Sequence, residues 1–176
     1  MARAKKGADT GNEGKKSKRS GSGGGQWRWL WLTFAVIVLD LITKNMAVYY
    51  LNRITSTDLT SFLSLTLVHN TGSAFGFLAE SSGWQLWFFV SIAVVVSLGI
   101  LTWLWRSTSK HAFTAASLSL ILGGTLGNLY DRLVDGYVID FIDFHVGSYH
   151  WPAFNIADSA ICIGVFFFIL SGFRSA

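Results

Sequence analysis

The sequence predicts an all-α membrane protein with four transmembrane helices, both termini in the cytoplasm, and a small extracytoplasmic β or loop element between helices 1 and 2. Three observations lead to this fold class. Hydrophobic residues make up 51% of the 176 residues and charged residues only 14%, whereas about a quarter of a soluble domain is charged. Four apolar segments are long enough to cross a bilayer, and the basic residues concentrate on one side of them.

The four apolar segments are each about 18 to 25 residues long, and about 20 helical residues span a hydrocarbon core of ~30 Å. They cover roughly residues 27–51, 84–105, 112–130 and 156–173. Tryptophans lie near the ends of the first two, where amphipathic rings prefer the membrane interface. The third is rich in Ser, Thr and Gly, and its Gly123, Gly124 and Gly127 predict close packing against other helices.

The basic residues indicate orientation rather than nucleic-acid binding. Eight of the 14 Lys and Arg residues lie between Arg3 and Arg28, so the net charge of +4 comes from the N-terminal tail. Residues 1–25 have no apolar period and are predicted to be a disordered cytoplasmic tail, before a membrane domain of residues 26–176. The positive-inside rule then places the connections near 52–83 and 131–155 outside the cytoplasm.

The first outer connection shows a partial alternation of polar and apolar residues, strongest from Leu63 to Leu67. This pattern predicts one or two short strands on the membrane surface. The single cysteine, Cys162, excludes an intrachain disulfide. The four histidines have no ligand-like spacing, so the sequence predicts no metal site.

Two charged residues interrupt the first apolar segment. Asp40 and Lys44 lie four residues apart, near what we expect to be the outer end of this helix. Residues at i and i+4 share a helix face and can form an ion pair, which lowers the cost of both charges near lipid. We favour a structural pair over direct participation in catalysis.

Further polar residues flank the last apolar segment. Asp140 has apolar neighbours that would raise its pKa if it were buried. Asp158 falls in the first turn of the fourth helix, three residues after Asn155, where the helix dipole favours a carboxylate. The simpler alternative is that Asp158 only caps this helix. Two carboxylates at one membrane surface could also share acid and base roles, as in aspartic proteases.

Two other classes of protein could also carry these carboxylates. A proton-coupled transporter also carries carboxylates in the membrane, but usually near the midplane and with repeated halves, and no repeat is visible here. A membrane adaptor without enzymatic activity would not need Asn, Arg and paired Asp residues from three separate segments. An enzyme therefore fits the pattern best.

Five sequence blocks together resemble the lipoprotein signal peptidase (signal peptidase II) family, a family of membrane aspartic peptidases. The blocks are Asp40-Leu-Ile-Thr-Lys44, His69-Asn-Thr-Gly-Ser-Ala-Phe75, Gly123-Gly-Thr-Leu-Gly-Asn-Leu-Tyr-Asp-Arg132, Val138-Ile-Asp-Phe141 and Phe154-Asn-Ile-Ala-Asp158. The resemblance covers about residues 27–173.

The resemblance implies a role for each matching position. The catalytic pair corresponds to Asp140 and Asp158, and Asp40 and Lys44 support the structure. The residues that hold the substrate backbone correspond to Asn70, Asn128, Arg132 and Asn155, whereas Asp131 and Asp143 are expected to be structural.

The resemblance also implies an activity, a substrate and a location. The family cleaves the signal peptide from bacterial prolipoproteins just before a cysteine that carries a diacylglyceryl group, without cofactor or metal. The expected partners are this lipid-modified substrate and membrane lipids, with no nucleic acid, and we expect a monomer. The expected location is the bacterial cytoplasmic (inner) membrane, with the active site facing the extracytoplasmic side.

Overall fold

A computed structural model describes residues 25–52, 54, 56–72, 83–107 and 111–173. The tail predicted to be disordered lies outside the described residues, apart from Gly25. Lys110 and Arg174, two of the basic residues expected on the cytoplasmic side, also lie outside them.

Within the described residues, four helices have the length and apolar character needed to cross a membrane, as the sequence predicted. They are α1 (Leu30–Leu51, preceded by a 3-10 turn at Gln26–Trp29), α2 (Trp84–Arg106), α3 (Ala112–Val134) and α4 (Ile156–Phe173). Helix α3 continues four residues beyond its predicted end, so Asp131 and Arg132 belong to its last turns and not to a loop. The chain leaves the helix at Gly136, whose φ of 81° suits glycine.

Helix α3 contacts the three other helices, and its glycines permit the approach. A Cβ added to Gly123 would lie 2.7 Å from the Cβ of Val36 in α1, and one added to Gly124 would overlap the backbone of Ala157 in α4. These distances confirm that the glycines serve close helix packing.

A four-stranded antiparallel sheet joins the helices at one end of the bundle. Its order is β1 (Ser56–Thr60), β2 (Leu63–Asn70), β3 (Val138–Val146) and β4 (Tyr149–His150). The predicted element between helices 1 and 2 therefore supplies only half of the sheet, because β3 and β4 come from the connection between α3 and α4. Side chains on both faces of β3 are partly buried, so buried and exposed residues do not alternate along this strand. Its sequence therefore lacks the two-residue polar/apolar period that would have predicted a strand.

The sheet packs on the last turns of α1. Ala47 and Leu51 form an apolar cluster with Phe141 of β3. Since α1 continues to the sheet, Asp40 and Lys44 lie near the middle of this helix, which corrects their expected position near its outer end. We call the end of the bundle that carries the sheet the sheet end, and the opposite end the far end.

The far end has an apolar core between α2 and α3, formed by Ile100, Leu104, Ala115, Leu118 and Leu122. Most large apolar side chains elsewhere on the helices point outwards and are exposed. That distribution is expected of helices whose surroundings are lipid, because burying such side chains in the protein gives little further gain.

Candidate active site

Asp140 lies on β3, with Asn70 as its diagonal neighbour on β2. Asn70 pairs with Val138 and Asp140 with Val68, so both polar side chains share one face of the sheet. Asn70 Nδ2 donates to Asp140 Oδ2 at 2.9 Å, and Asn155 Nδ2 donates to Oδ1 at 2.8 Å.

The Asp140 side chain is only 2% exposed. Burial, the largest influence, raises the pKa of the Asp140 carboxyl to about 7, and the nearby charge of Asp158 acts in the same direction. The hydrogen bonds from Asn70 and Asn155 act in the opposite direction but do not offset burial. The pKa shift anticipated from the apolar neighbours of Asp140 is therefore confirmed.

Asp158 occupies the third position of α4, and Asn155 is the residue that caps this helix. Asp158 N donates to Asn155 Oδ1 at 2.9 Å, and Asn155 N donates to Asp158 Oδ2 at 3.3 Å. This reciprocal arrangement is a capping box built from Asn and Asp. Asp158 therefore does cap α4, as the simpler alternative proposed, but the same carboxylate also accepts a hydrogen bond from Asn128 Nδ2 at 2.8 Å.

Two asparagines connect the two carboxylates. Asn155 Nδ2 reaches Asp140 Oδ1 and also Asn128 Oδ1, the latter at 3.1 Å, and Asn128 Nδ2 continues to Asp158. The chain of hydrogen bonds thus runs from Asp140 through both amides to Asp158, joining β3, α4 and α3. Asn155 is fully buried behind the carboxylates, so the geometry favours a positioning role for it over the substrate contact expected from its sequence block.

A buried ion-pair cluster lies next to Asn128. Lys44 Nζ contacts Asp40 Oδ2 at 2.7 Å, which confirms the predicted pair, and also Asp131 Oδ2 at 2.8 Å. Asp40 Oδ1 accepts the backbone N–H of Ala157 at 2.9 Å, so α1 supplies a second cap for α4. Asp131 Oδ2 accepts the N–H of Ile139 at 3.2 Å and ties β3 to α3.

Arg132 brings a positive charge to the same region. Its Nη1 donates to Asn128 O at 3.3 Å and its Nη2 to Gly72 O at 3.1 Å. The guanidinium carbon lies 5.0 Å from the centroid of the Phe89 ring, a cation–π distance.

These side chains border a cavity of about 530 Å³, which lies in the usual size range of ligand pockets. Its polar walls are Asp140, Asp158, Asn70, Asn128 and Arg132. Its apolar walls come from the segment before α4 and from the first turns of α4, and include Trp151, Pro152, Phe154, Ile161, Cys162 and Ile163. The cavity therefore suits a ligand that is largely apolar with a polar group at the carboxylates.

Among the described residues, no group of three or more His, Cys, Asp and Glu side chains is arranged to hold a metal ion. Three of the histidines, His69, His145 and His150, lie on the sheet. His145 stacks on His150 at 4.9 Å, and His150 pairs with Asp143 at 2.8 Å. Asp143 thus has a structural contact away from the cavity, as expected.

A family model described as signal peptidase (SPase) II matches residues 32–174. The chain belongs to the signal peptidase II family. Proteins named lipoprotein signal peptidase are similar over most of their length: that of Alteromonas mediterranea is 50% identical over 138 residues, which is 78% of this chain and 76% of the relative. That of Photorhabdus laumondii is 48% identical over 140 residues, 80% and 84% of the two chains.

Solved structures of membrane enzymes share the fold of this chain. Two structures described as bacterial membrane enzymes have TM-scores of 0.74 and 0.75 at 29% and 28% sequence identity. They align with 86% and 88% of this chain and with 91% and 97% of their own. The protein is therefore a multi-pass membrane peptidase of the signal peptidase II family.

Two features of the candidate site in this signal peptidase II family member were not predicted from the sequence. The cap that Asp40 provides for α4 joins residues 117 positions apart, and no local pattern indicates it. The sequence contains only a weak indication that Lys44 contacts α3: Asn128 and Asp131 lie three residues apart and so share one helix face, which here meets α1.

Proposed function

We propose that this member of the signal peptidase II family is an aspartic endopeptidase. It removes the signal peptide from bacterial prolipoproteins that carry a diacylglyceryl group, and it cuts just before the lipidated cysteine. One observation carries the proposal: Asp140 and Asp158, from different segments, border one cavity and are joined through two buried asparagines.

The environments of the two carboxylates support different roles. Asp140, with its pKa raised to about 7, retains its proton at mildly acid pH and in part of the molecules at neutral pH, so it is suited to act as the general acid. Asp158 receives N–H donors from Asn128 and from the Asn155 backbone. It also lies at the positive end of the α4 dipole, so its negative charge is stabilised and it is suited to act as the base.

The proposed reaction proceeds through a tetrahedral intermediate. Asp158 takes a proton from a water molecule, whose oxygen attacks the carbonyl carbon before the lipidated cysteine. Asp140 donates its proton to the carbonyl oxygen, which gives a neutral gem-diol. The C–N bond then breaks as the proton on Asp158 passes to the departing amine, and Asp140 recovers a proton from the diol as the carboxylic acid product forms.

The polar residues around the pair divide into two groups. Asn155 is fully buried, and the Asn128 amide is occupied on both sides by protein partners, so we assign both to positioning. Arg132 and Asn70 line the cavity, and we assign them to the substrate backbone; Asn70 also donates to Asp140 and so contributes to positioning as well. An arginine has five N–H donors in a fixed fork, and two of its nitrogens here contact backbone carbonyls, which leaves donors for a substrate carbonyl.

The proposed location is the bacterial cytoplasmic membrane, with both termini in the cytoplasm and the sheet end facing outwards. The basic tail and Arg106 at the far end support this orientation through the positive-inside rule. A substrate anchored by a signal helix and a lipid reaches such a site from the outer leaflet, so its partners are that substrate and membrane lipids. We propose a monomer that needs no metal or cofactor.

The test is cleavage of a diacylated prolipoprotein peptide by purified protein in detergent, without added metal or nucleotide. We expect a single cut before the lipidated cysteine, no cut in the unlipidated peptide, and loss of cleavage in folded Asp140→Asn and Asp158→Asn. The rate should fall as pH rises through about 7, because Asp140 loses its proton. It should also fall in acid, where no base remains. Substantial cleavage by either folded single variant would rule out the aspartic mechanism.

A further inference from the structure

Lys44 has more contacts than its ion pair requires. Its side chain is 1% exposed and contacts two carboxylates, those of Asp40 and Asp131. The third hydrogen bond of the ammonium group goes to Asn128 Oδ1 at 3.1 Å. An ammonium has three donors, and in Lys44 the third is directed at the amide that holds Asp158.

The orientation of the Asn128 amide determines whether the Asp158 carboxylate faces an N–H donor or an oxygen. Oδ1 of Asn128 accepts from Lys44 Nζ and from Asn155 Nδ2, while Nδ2 of Asn128 donates to Asp158 Oδ1. If the amide rotated by half a turn, its NH₂ group would face two donors and its oxygen would face a carboxylate. Both contacts would be repulsive, so the donors on one side fix which atom faces Asp158.

The charge of Lys44 makes it a stronger donor to Asn128 Oδ1 than Asn155 is. Asn155 supplies a neutral donor to the same oxygen, but it also contacts Asp140 Oδ1 and Ile139 O, so its amide is shared between three acceptors. A charged donor gives a hydrogen bond about twice as strong as a neutral one. Lys44 is therefore the stronger of the two groups that orient Asn128.

We propose that Lys44 is a positioning residue for the reaction: by holding Asn128 Oδ1, it keeps the Asn128 Nδ2 donor directed at the Asp158 carboxylate. This inference rests on the proposed function, in which Asp158 is the base. Lys44 does not line the cavity, so it acts through Asn128 and not on the substrate. The competing explanation is that Lys44 only neutralises Asp40 and Asp131.

The charge of Lys44 adds a second readout, one that the loss of an uncharged contact between the same helices would not change. Burial dominates the raised pKa of Asp140, but the Lys44 charge lowers it. Removing Lys44 should therefore raise the pKa of Asp140 further. The alkaline limb of the rate profile should then move to higher pH, even while the rate itself falls.

The experiment compares kcat, KM and the pH–rate profile of folded variants on the diacylated peptide. In Lys44→Met, we expect kcat to fall about 100-fold, the loss typical of misplaced catalytic groups, with little change in KM and an alkaline limb at higher pH. The matched control is Thr33→Val, which removes another buried contact between α1 and α3, the bond from Thr33 Oγ1 to Ser119 O at 2.9 Å. We expect this control to lower thermal stability without changing kcat or the pH profile.

A second variant separates positioning from folding. Removing one partner of a buried ion pair leaves an uncompensated charge, whereas removing charges of both signs costs less. Lys44→Met combined with Asp131→Asn should therefore fold, keep an acceptor for the Ile139 N–H, and still show a reduced kcat, because Asn128 has lost its charged donor.

The kcat of the folded Lys44 variants distinguishes positioning from neutralisation. Wild-type kcat in either folded variant, or failure of both to fold, would overturn the proposal in favour of neutralisation alone. Asp140→Asn and Asp158→Asn are measured in parallel. If those variants are inactive and Lys44→Met behaves as wild type, only the positioning role is wrong; if they cleave the peptide, the proposed function itself fails.

Discussion

At the sheet end of the bundle, α1, α3 and α4 contact one another through buried charges and amides, whereas at the far end α2 and α3 contact through apolar side chains. In the first region Asp40, Lys44 and Asn128 are buried and hydrogen-bonded or ion-paired. In the second, Leu104 and Leu122 are almost fully buried with no polar partner to satisfy. Apolar contacts tolerate small rotations, but hydrogen-bond networks do not.

The difference suggests that the two ends have separate tasks. The far end holds the helices together, since packing without directional bonds is sufficient for that. The sheet end fixes the positions of two carboxylates, and each of its polar groups is constrained by several others. Changes at the far end should therefore alter stability alone, and changes at the sheet end should alter chemistry and pH dependence as well.

The largest expected effect concerns the proposed catalytic pair. Folded Asp140→Asn and Asp158→Asn should each lower kcat by about 10²- to 10⁴-fold, because each removes one partner of acid–base catalysis. The double variant should be little worse than the poorer single variant, since residues that act as a unit are not additive. Losses in kcat that multiply in the double variant would show that the two residues act independently.

The next effect is on stability, and its sign depends on pH. The pKa of Asp140 in the folded protein, about 7, exceeds its ordinary value of 3.8. Between these values the folded state binds more protons than the unfolded state, so wild-type stability falls as pH rises from about 4 to about 7. Asp140→Asn removes this loss and should be more stable than wild type at pH 8, by at most about 4 kcal/mol.

Thermal unfolding in detergent at several pH values measures this stability difference. The advantage of Asp140→Asn should shrink towards pH 4. Asp135→Asn, which changes an exposed carboxylate at the end of α3, is the matched control and should show little difference at either pH. An Asp140→Asn advantage that is the same at pH 5 and pH 8 would contradict the assignment of a buried, protonated Asp140.

A smaller effect is expected at the far end. Leu104→Ala should lower the free energy of unfolding by about 2 kcal/mol, near the lower limit for a buried leucine. The lost packing leaves a cavity, but the hydrophobic effect contributes less between helices that are surrounded by lipid. Leu98→Ala on the same helix, whose side chain is 59% exposed, should cost much less. Both variants should retain wild-type kcat and pH profile per folded molecule; a shifted profile in Leu104→Ala would show that the two ends are coupled.

The smallest effect is expected from the N-terminal tail. Removal of residues 1–24 should leave kcat unchanged, since these residues have no apolar pattern and we expect them on the side of the membrane opposite the site. The yield of inserted protein is measured separately, because fewer basic residues can weaken orientation. A lower kcat in correctly inserted protein would show that the tail contributes to catalysis.

The sequence predicted the parts of this molecule that have local signals. Long apolar runs predicted all four helices, and the spacing of Asp40 and Lys44 predicted their ion pair. The strand β3 was missed because it is buried on parts of both faces and does not alternate. The extent of α3 was underestimated, since the charges of Asp131 and Arg132 suggest a loop unless their buried partners are known.

The sequence blocks named polar residues that the structure places around or beside one cavity, but they did not indicate the geometry. The contacts between these residues join distant segments. The buried position of Asn155 behind the carboxylates depends on how β3, α3 and α4 meet. The link from Lys44 to Asn128 spans 84 positions, and a pattern within one helix contains no information about it.

The ion pair within α1 also bears on how the chain enters the membrane. Asp40 and Lys44 lie one turn apart on the same helix, so α1 has no net charge at its centre even before α3 and α4 are synthesised. A single charge at the middle of an inserting helix costs about 2.5–3.5 kcal/mol, and a paired one should cost less. We therefore expect an isolated α1 segment to insert more efficiently with both residues than with Lys44→Ala alone, as a glycosylation-based insertion assay would measure. Equal insertion of the two segments would show that α1 depends on the later helices to neutralise Asp40.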